Sequence, residues 1–73
     1  MKNVNLFRDG DGMETNFDVS DAQKQTDGTI TASLWCTHGA WNAEAVFNEC
    51  GRVDVSFGDD DYELTYDSYE VVL

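Results

Sequence analysis

The sequence predicts a mainly β chain, a small antiparallel sheet of about five or six short strands. Three observations carry that expectation. Apolar residues recur mostly with period two, the spacing that lines one face of a strand. β-Branched and aromatic residues fill those runs, as a half-buried pleated surface favours. Turn signals at Asp9-Gly10-Asp11-Gly12, Asp27-Gly28, His38-Gly39, Cys50-Gly51 and Gly58-Asp59-Asp60 separate the runs, and no proline interrupts any of them.

The elements follow in chain order. Val4-Asn5-Leu6-Phe7 and Asn16-Phe17-Asp18-Val19 read as short strands flanking the first turn. Ile30, Ala32, Leu34 and Cys36 then alternate with Thr29, Thr31, Ser33 and Trp35. Val53, Val55 and Phe57 alternate with Arg52, Asp54 and Ser56, and Tyr62, Leu64 and Tyr66 with Glu63, Thr65 and Asp67. In each case the first set is expected to face the core and the second to face water, because successive strand side chains point to opposite faces.

Residues 40–50 allow two readings. As a strand, Trp41, Ala43, Ala45 and Phe47 share one face against Asn42, Glu44 and Asn48. As a helix, Ala40, Ala43, Phe47 and Cys50 align, with Thr37 as N-cap and Gly51 just past the end. The three alanines and Glu44 favour helix by propensity, whereas the flanking strands favour an uninterrupted meander. Strand is the reading adopted; an α+β fold with one helix near 40–50 is the alternative. The cysteines separate the two. If residues 37–40 turn a hairpin, Cys36 lies beside Trp41 and Cys50 lies about 30 Å along the strand, beyond disulfide reach.

A chain of 73 residues makes one domain, residues 1–73, with one small core; such a core buries only about 60% of the unfolded surface. The hydrophobic fraction of 41% argues for folding rather than disorder. Met1-Lys2-Asn3-Val4-Asn5 shows neither the charged nor the apolar region of a signal peptide. No run approaches the ~20 apolar residues of a membrane span. The expectation is a complete cytoplasmic protein that begins at Met1 and keeps Cys36 and Cys50 reduced.

Catalytic and metal chemistry finds little support. The chain has one histidine and lacks GxSxG, HExxH and any phosphate-binding loop, so a non-enzyme without cofactors is expected. Cys36, His38 and Cys50 could nominate three zinc ligands, but their spacing is not that of paired zinc ligands, and His38 reads as a turn residue beside Gly39. Asp9-Gly10-Asp11-Gly12 invites calcium, yet the EF-hand register would place Phe7 at the first ligand position and Asp18, not Glu, at the last. No metal site is expected.

The charge is the more telling feature. Fifteen acidic residues stand against four basic ones, a net −11. From Val53 to Leu73 there are seven acids and no Lys or Arg. Such a surface repels nucleic acid and anionic membranes, and complements a basic groove built to hold DNA or RNA. The candidate partner-binding residues are therefore Asp54, Asp59, Asp60, Asp61, Glu63 and Asp67, with Trp35 as an anchor if it is exposed. A second layer such as the N-terminal hairpin could equally cover Trp35, whereas Trp41 fits the core face in either reading. Two plainer accounts of the acid compete: a solvated face for solubility, and adaptation to high salt, since ten of the acids are Asp and only two residues are Lys.

In size and charge the whole chain resembles small acidic phage-encoded inhibitors that imitate DNA, such as anti-CRISPR, anti-restriction and uracil-DNA glycosylase inhibitor proteins. The resemblance includes no motif, so it carries no functional residue over. It implies a non-enzymatic inhibitor that occupies the nucleic-acid-binding groove of a host nuclease or CRISPR effector. The alternative is a small structural or assembly protein, monomeric or homodimeric, whose charge serves solubility or salt tolerance.

Overall fold

The period-two pattern is realised as strands throughout. The computed structural model describes residues 1–39, 41–58 and 62–73. It contains β1 (Asn3–Arg8), β2 (Met13–Lys24), β3 (Ile30–Cys36), β4 (Asn42–Phe47), β5 (Val53–Phe57), β6 (Tyr62–Tyr66) and β7 (Ser68–Val71). All pair antiparallel in one seven-stranded sheet of order β6-β5-β4-β3-β2-β1-β7. The mainly β expectation holds, and no helix occurs among the described residues.

Two edges of this sheet belong to one run of chain. β6 and β7 are separated only by Asp67, yet β6 pairs with β5 and β7 pairs with β1. The backbone N–H of Asp67 donates to the Phe7 carbonyl at 2.8 Å, so the bend is itself tied to β1. The sheet thus curls until it is nearly closed, which leaves little unpaired edge. This bend accounts for the extra strand: the apolar run ending at Tyr66 continues past Asp67 with a new partner.

Alternation fixes the interior. Val4, Leu6, Phe17, Leu34, Phe47, Val53, Val55 and Tyr66 are at most 2% exposed. Ala32, Ala43 and Ala45 line the same interior, and register pairs Ala32 with Ala45 and Leu34 with Ala43. These small residues leave room for the phenylalanines, the large–small alternation of small barrels. That role explains why Ala43 and Ala45 sit in a strand: pairing on both sides outweighs the high helix propensity of alanine. The helical alternative is excluded by β4.

Cys36 is buried and Cys50 exposed, and both are free. The N–H of Cys36 donates to the Trp41 carbonyl at 3.0 Å, so the β3–β4 hairpin brings those two residues together as expected.

Two expectations about facing need correction. Trp41 and Tyr62, expected on the core face, are 44% and 53% exposed. Both keep the inward phase of their strands. Tyr62, however, opens β6 and Trp41 immediately precedes β4, so both lie at the rim of the barrel, where no other described strand covers them. β2 is also longer than the 16–19 expected, because a bulge between Ser20 and Gln23 lets it continue to Lys24. Asp21 sits in that bulge at φ +54°, a left-handed conformation that Asp tolerates better than branched residues do.

Candidate partner-binding surface

The alternation that buries Val53, Val55 and Phe57 turns Asp54 and Ser56 outward, and neighbouring strands repeat the pattern. In register, Glu44 lies opposite Ser56 and Ser56 opposite Glu63; Val46 lies opposite Asp54 and Asp54 opposite Thr65. Glu44, Asp54 and Glu63 therefore share the outer wall of β4, β5 and β6. Strand spacing and rise place their backbones about 8–10 Å from one another. No residue of those three strands is Lys or Arg.

Two of these carboxylates are held by neighbours. Thr65 Oγ1 donates to Asp54 Oδ1 at 2.9 Å, and Asn48 Nδ2 donates to Oδ2 at 3.0 Å. Ser33 Oγ approaches both oxygens of Glu44 at 3.3 Å. These bonds orient exposed charge without burying it, so the wall stays negative. A shallow depression of about 190 Å³ beside it is lined by Asn42, Ala43, Glu44, Ser56 and Gly58. That is below the ~300–1,000 Å³ of a usual small-molecule site.

The remaining candidates scatter. Trp35 is 43% exposed on the outer face of β3, between Asp18 on β2 and Asn42 on β4. The N-terminal hairpin does not cover it. Asp67 lies at the bend between β6 and β7, where its Oδ2 accepts the Asp9 N–H at 2.7 Å. It belongs to the seam of the barrel rather than to the wall. Asp59, Asp60 and Asp61 lie outside the described residues.

Hairpin parity adds an axis that the sequence reading did not use. The β1–β2, β3–β4 and β5–β6 connections leave one end of the barrel, and the β2–β3 and β4–β5 connections leave the other. Lys2, Lys24 and Arg52, three of the four basic residues, fall at the second end, beside the paired termini. At the first end the one Lys or Arg is Arg8, whose Nη1 is 3.5 Å from Asp11 Oδ2. Counting strands from the glycine turns would have revealed this polarity.

The first end also carries the apolar rim. An aromatic series climbs from the core to it: Tyr66 to Phe17 at 6.5 Å, Phe17 to Trp41 at 6.4 Å, Trp41 to Phe57 at 5.0 Å and Phe57 to Tyr62 at 6.0 Å. The Trp41 indole lies over the Cα of Gly39, in space that a Cβ would occupy. A residue without a side chain is thus required beneath it.

Among the described residues, no three His, Cys, Asp or Glu side chains gather as metal ligands. Cys36 and Cys50 lie at opposite ends of the barrel. No described helix is long and apolar enough to cross a membrane. No protein-family model, curated protein or solved structure matches the chain.

Proposed function

We propose that the protein is a non-enzymatic inhibitor that acts in the host cytoplasm by occupying the basic nucleic-acid-binding groove of a nuclease or CRISPR effector. The observation that carries this reading is the outer wall of β4–β6, where Glu44, Asp54 and Glu63 project without a basic side chain among them. A groove lined with Lys and Arg to meet successive phosphates complements such a face, and the net −11 steers the encounter.

The test is capture on the immobilised chain followed by competition. A nuclease or CRISPR effector should be retained from a bacterial lysate and released by added duplex DNA or by raised salt. Retention that duplex DNA cannot reverse, or recovery of nothing but the chain itself, would overturn the proposal.

A second reading, a self-associating structural protein, has one observation behind it. Val71, Val72 and Leu73 are consecutive, apolar and 49–73% exposed beside β7. Sedimentation of wild type against Val71→Asp distinguishes a dimer built on that strip from a monomer.

A further inference from the structure

We propose that the end of the barrel bearing the β1–β2, β3–β4 and β5–β6 connections docks an arginine-bearing segment of a protein partner, with Trp41 and Tyr62 as the contact platform. The proposal deepens the inhibitor reading, since a phosphate-binding groove presents arginines, but it rests on a different set of residues from the acidic wall.

Three properties of this end point to that occupant. First, Trp41, Tyr62 and Met13 keep the phase of the interior, yet between 44% and 53% of each stays in water. Among the described residues no strand lies over them, so a partner that covers them removes apolar surface from solvent. Second, the platform is rigid before any partner arrives. Trp41 rests on Phe17, Phe57 and the bare Cα of Gly39, and Tyr62 stacks on Phe57 with ring planes 29° apart. Preordered aromatic groups lose little conformational entropy on contact. Third, the rim is acidic: Asp9 and Asp11 belong to the same end, Asp67 in the seam is hydrogen-bonded to Asp9, and Arg8 is already engaged by Asp11.

Together these select the chemistry of the occupant. Carboxylates around the rim repel an anion, which excludes nucleic acid. Exposed aromatic faces disfavour a fully hydrated ammonium. A guanidinium satisfies both, because it lies flat on an aromatic face, carries a positive charge and is more weakly hydrated than Lys.

Fluorescence tests the assignment. In a Trp35→Phe background Trp41 is the single tryptophan, and its emission is followed while nona-arginine or nona-lysine is added in low salt. Nona-arginine should give a saturable change and bind several-fold more tightly than nona-lysine. Tyr62→Ala should weaken binding by about tenfold. Trp41→Ala, read by peptide anisotropy with folding checked by circular dichroism, should do at least as much. In a Glu44→Gln/Asp54→Asn/Glu63→Gln background Tyr62→Ala should still weaken binding by about tenfold, because the platform is a different set of residues from the wall. Binding that survives Tyr62→Ala and Trp41→Ala but is lost in the wall triple variant would overturn this inference and leave the groove reading standing. Absence of saturable nona-arginine binding to the wild-type protein would overturn it outright. Release of a captured partner by duplex DNA tests the groove reading separately.

Discussion

Asp67 Oδ2 accepts the backbone N–H of Asp9 at 2.7 Å, across 58 residues of sequence. One residue thereby joins the β6–β7 bend to the first hairpin twice, since its own N–H donates to Phe7 at 2.8 Å. A carboxylate that the charge pattern marks as surface is part of what closes the sheet.

Asp67→Ala should therefore cost about 1–2 kcal/mol, the range for losing a hydrogen bond to a charged group at a partly solvated site. Glu63→Gln, one strand face away and without such a partner, should stay within about 0.5 kcal/mol. Urea midpoints of the two variants measure the contrast; equal midpoints would show that the bridge contributes nothing.

Asp21 gives a backbone prediction. At φ +54° a branched side chain clashes with the following carbonyl. Asp21→Val should lose about 1–2 kcal/mol, while Asp21→Gly should lie within about 0.5 kcal/mol of wild type because relief of strain offsets the added unfolded-state entropy. Thermal unfolding of the pair tests whether the bulge is as specific as its geometry indicates.

Acid should act through Asp27. Its carboxyl is held below the usual 3.8, first by the Thr29 hydroxyl and then by the Thr29 N–H, which donate to Oδ1 at 2.7 and 3.0 Å. With the folded value lowered, the stabilisation is complete above 3.8 and is lost as pH falls through the lower folded value. Thr29→Val should be less stable than wild type at neutral pH, and the gap should narrow in that acidic window. A gap that stays constant down to about pH 2 would disconnect the hydroxyl from the carboxylate.

Salt and charge removal bear on the acid as a whole. The protein should show a β spectrum in dilute buffer and gain only a few degrees of midpoint as salt shortens the screening length from about 30 Å to 10 Å. A chain unfolded without molar salt would mark the acid as salt adaptation. Once a target is in hand, joint neutralisation of Asp54, Asp59, Asp60, Asp61 and Glu63, leaving the seam residue Asp67 in place, should slow association and flatten the salt dependence. Trp35→Ala should speed dissociation instead. An unchanged salt slope would place the interface elsewhere.

Period-two spacing was enough to find β3, β5 and β6, because a strand with one buried face writes its register into the sequence. It also identified the inner face of β4, where Ala43, Ala45 and Phe47 are buried. It misplaced Trp41 and Tyr62 because phase reports which side of the sheet a residue faces, not how far along the barrel the neighbouring strands extend. β7 was illegible for a related reason. Ser68-Tyr69-Glu70-Val71 pairs with β1 at the far end of the sequence, and Val71, although paired with buried Val4, stays half exposed at the end of β7. The bond between Asp67 and Asp9 left no local trace at all. The outward position of Asp54, Glu63 and Trp35 was legible, whereas the separation of Asp67 from the wall required the bend.

The seam also bears on how the chain folds. Pairing Val4 with Val71 brings together two positions near opposite ends of the described chain, so it comes late and at a high entropic cost of loop closure. Until then a six-stranded meander exposes two raw edges, those of β1 and β6, each a template for another molecule. At that stage the carboxylates of Asp54, Glu44 and Asp18 are already displayed, and mutual repulsion between copies opposes edge-to-edge aggregation while closure is pending. Stripping the wall of its charge should therefore lower the yield of refolding at high protein concentration even where the finished barrel is no less stable.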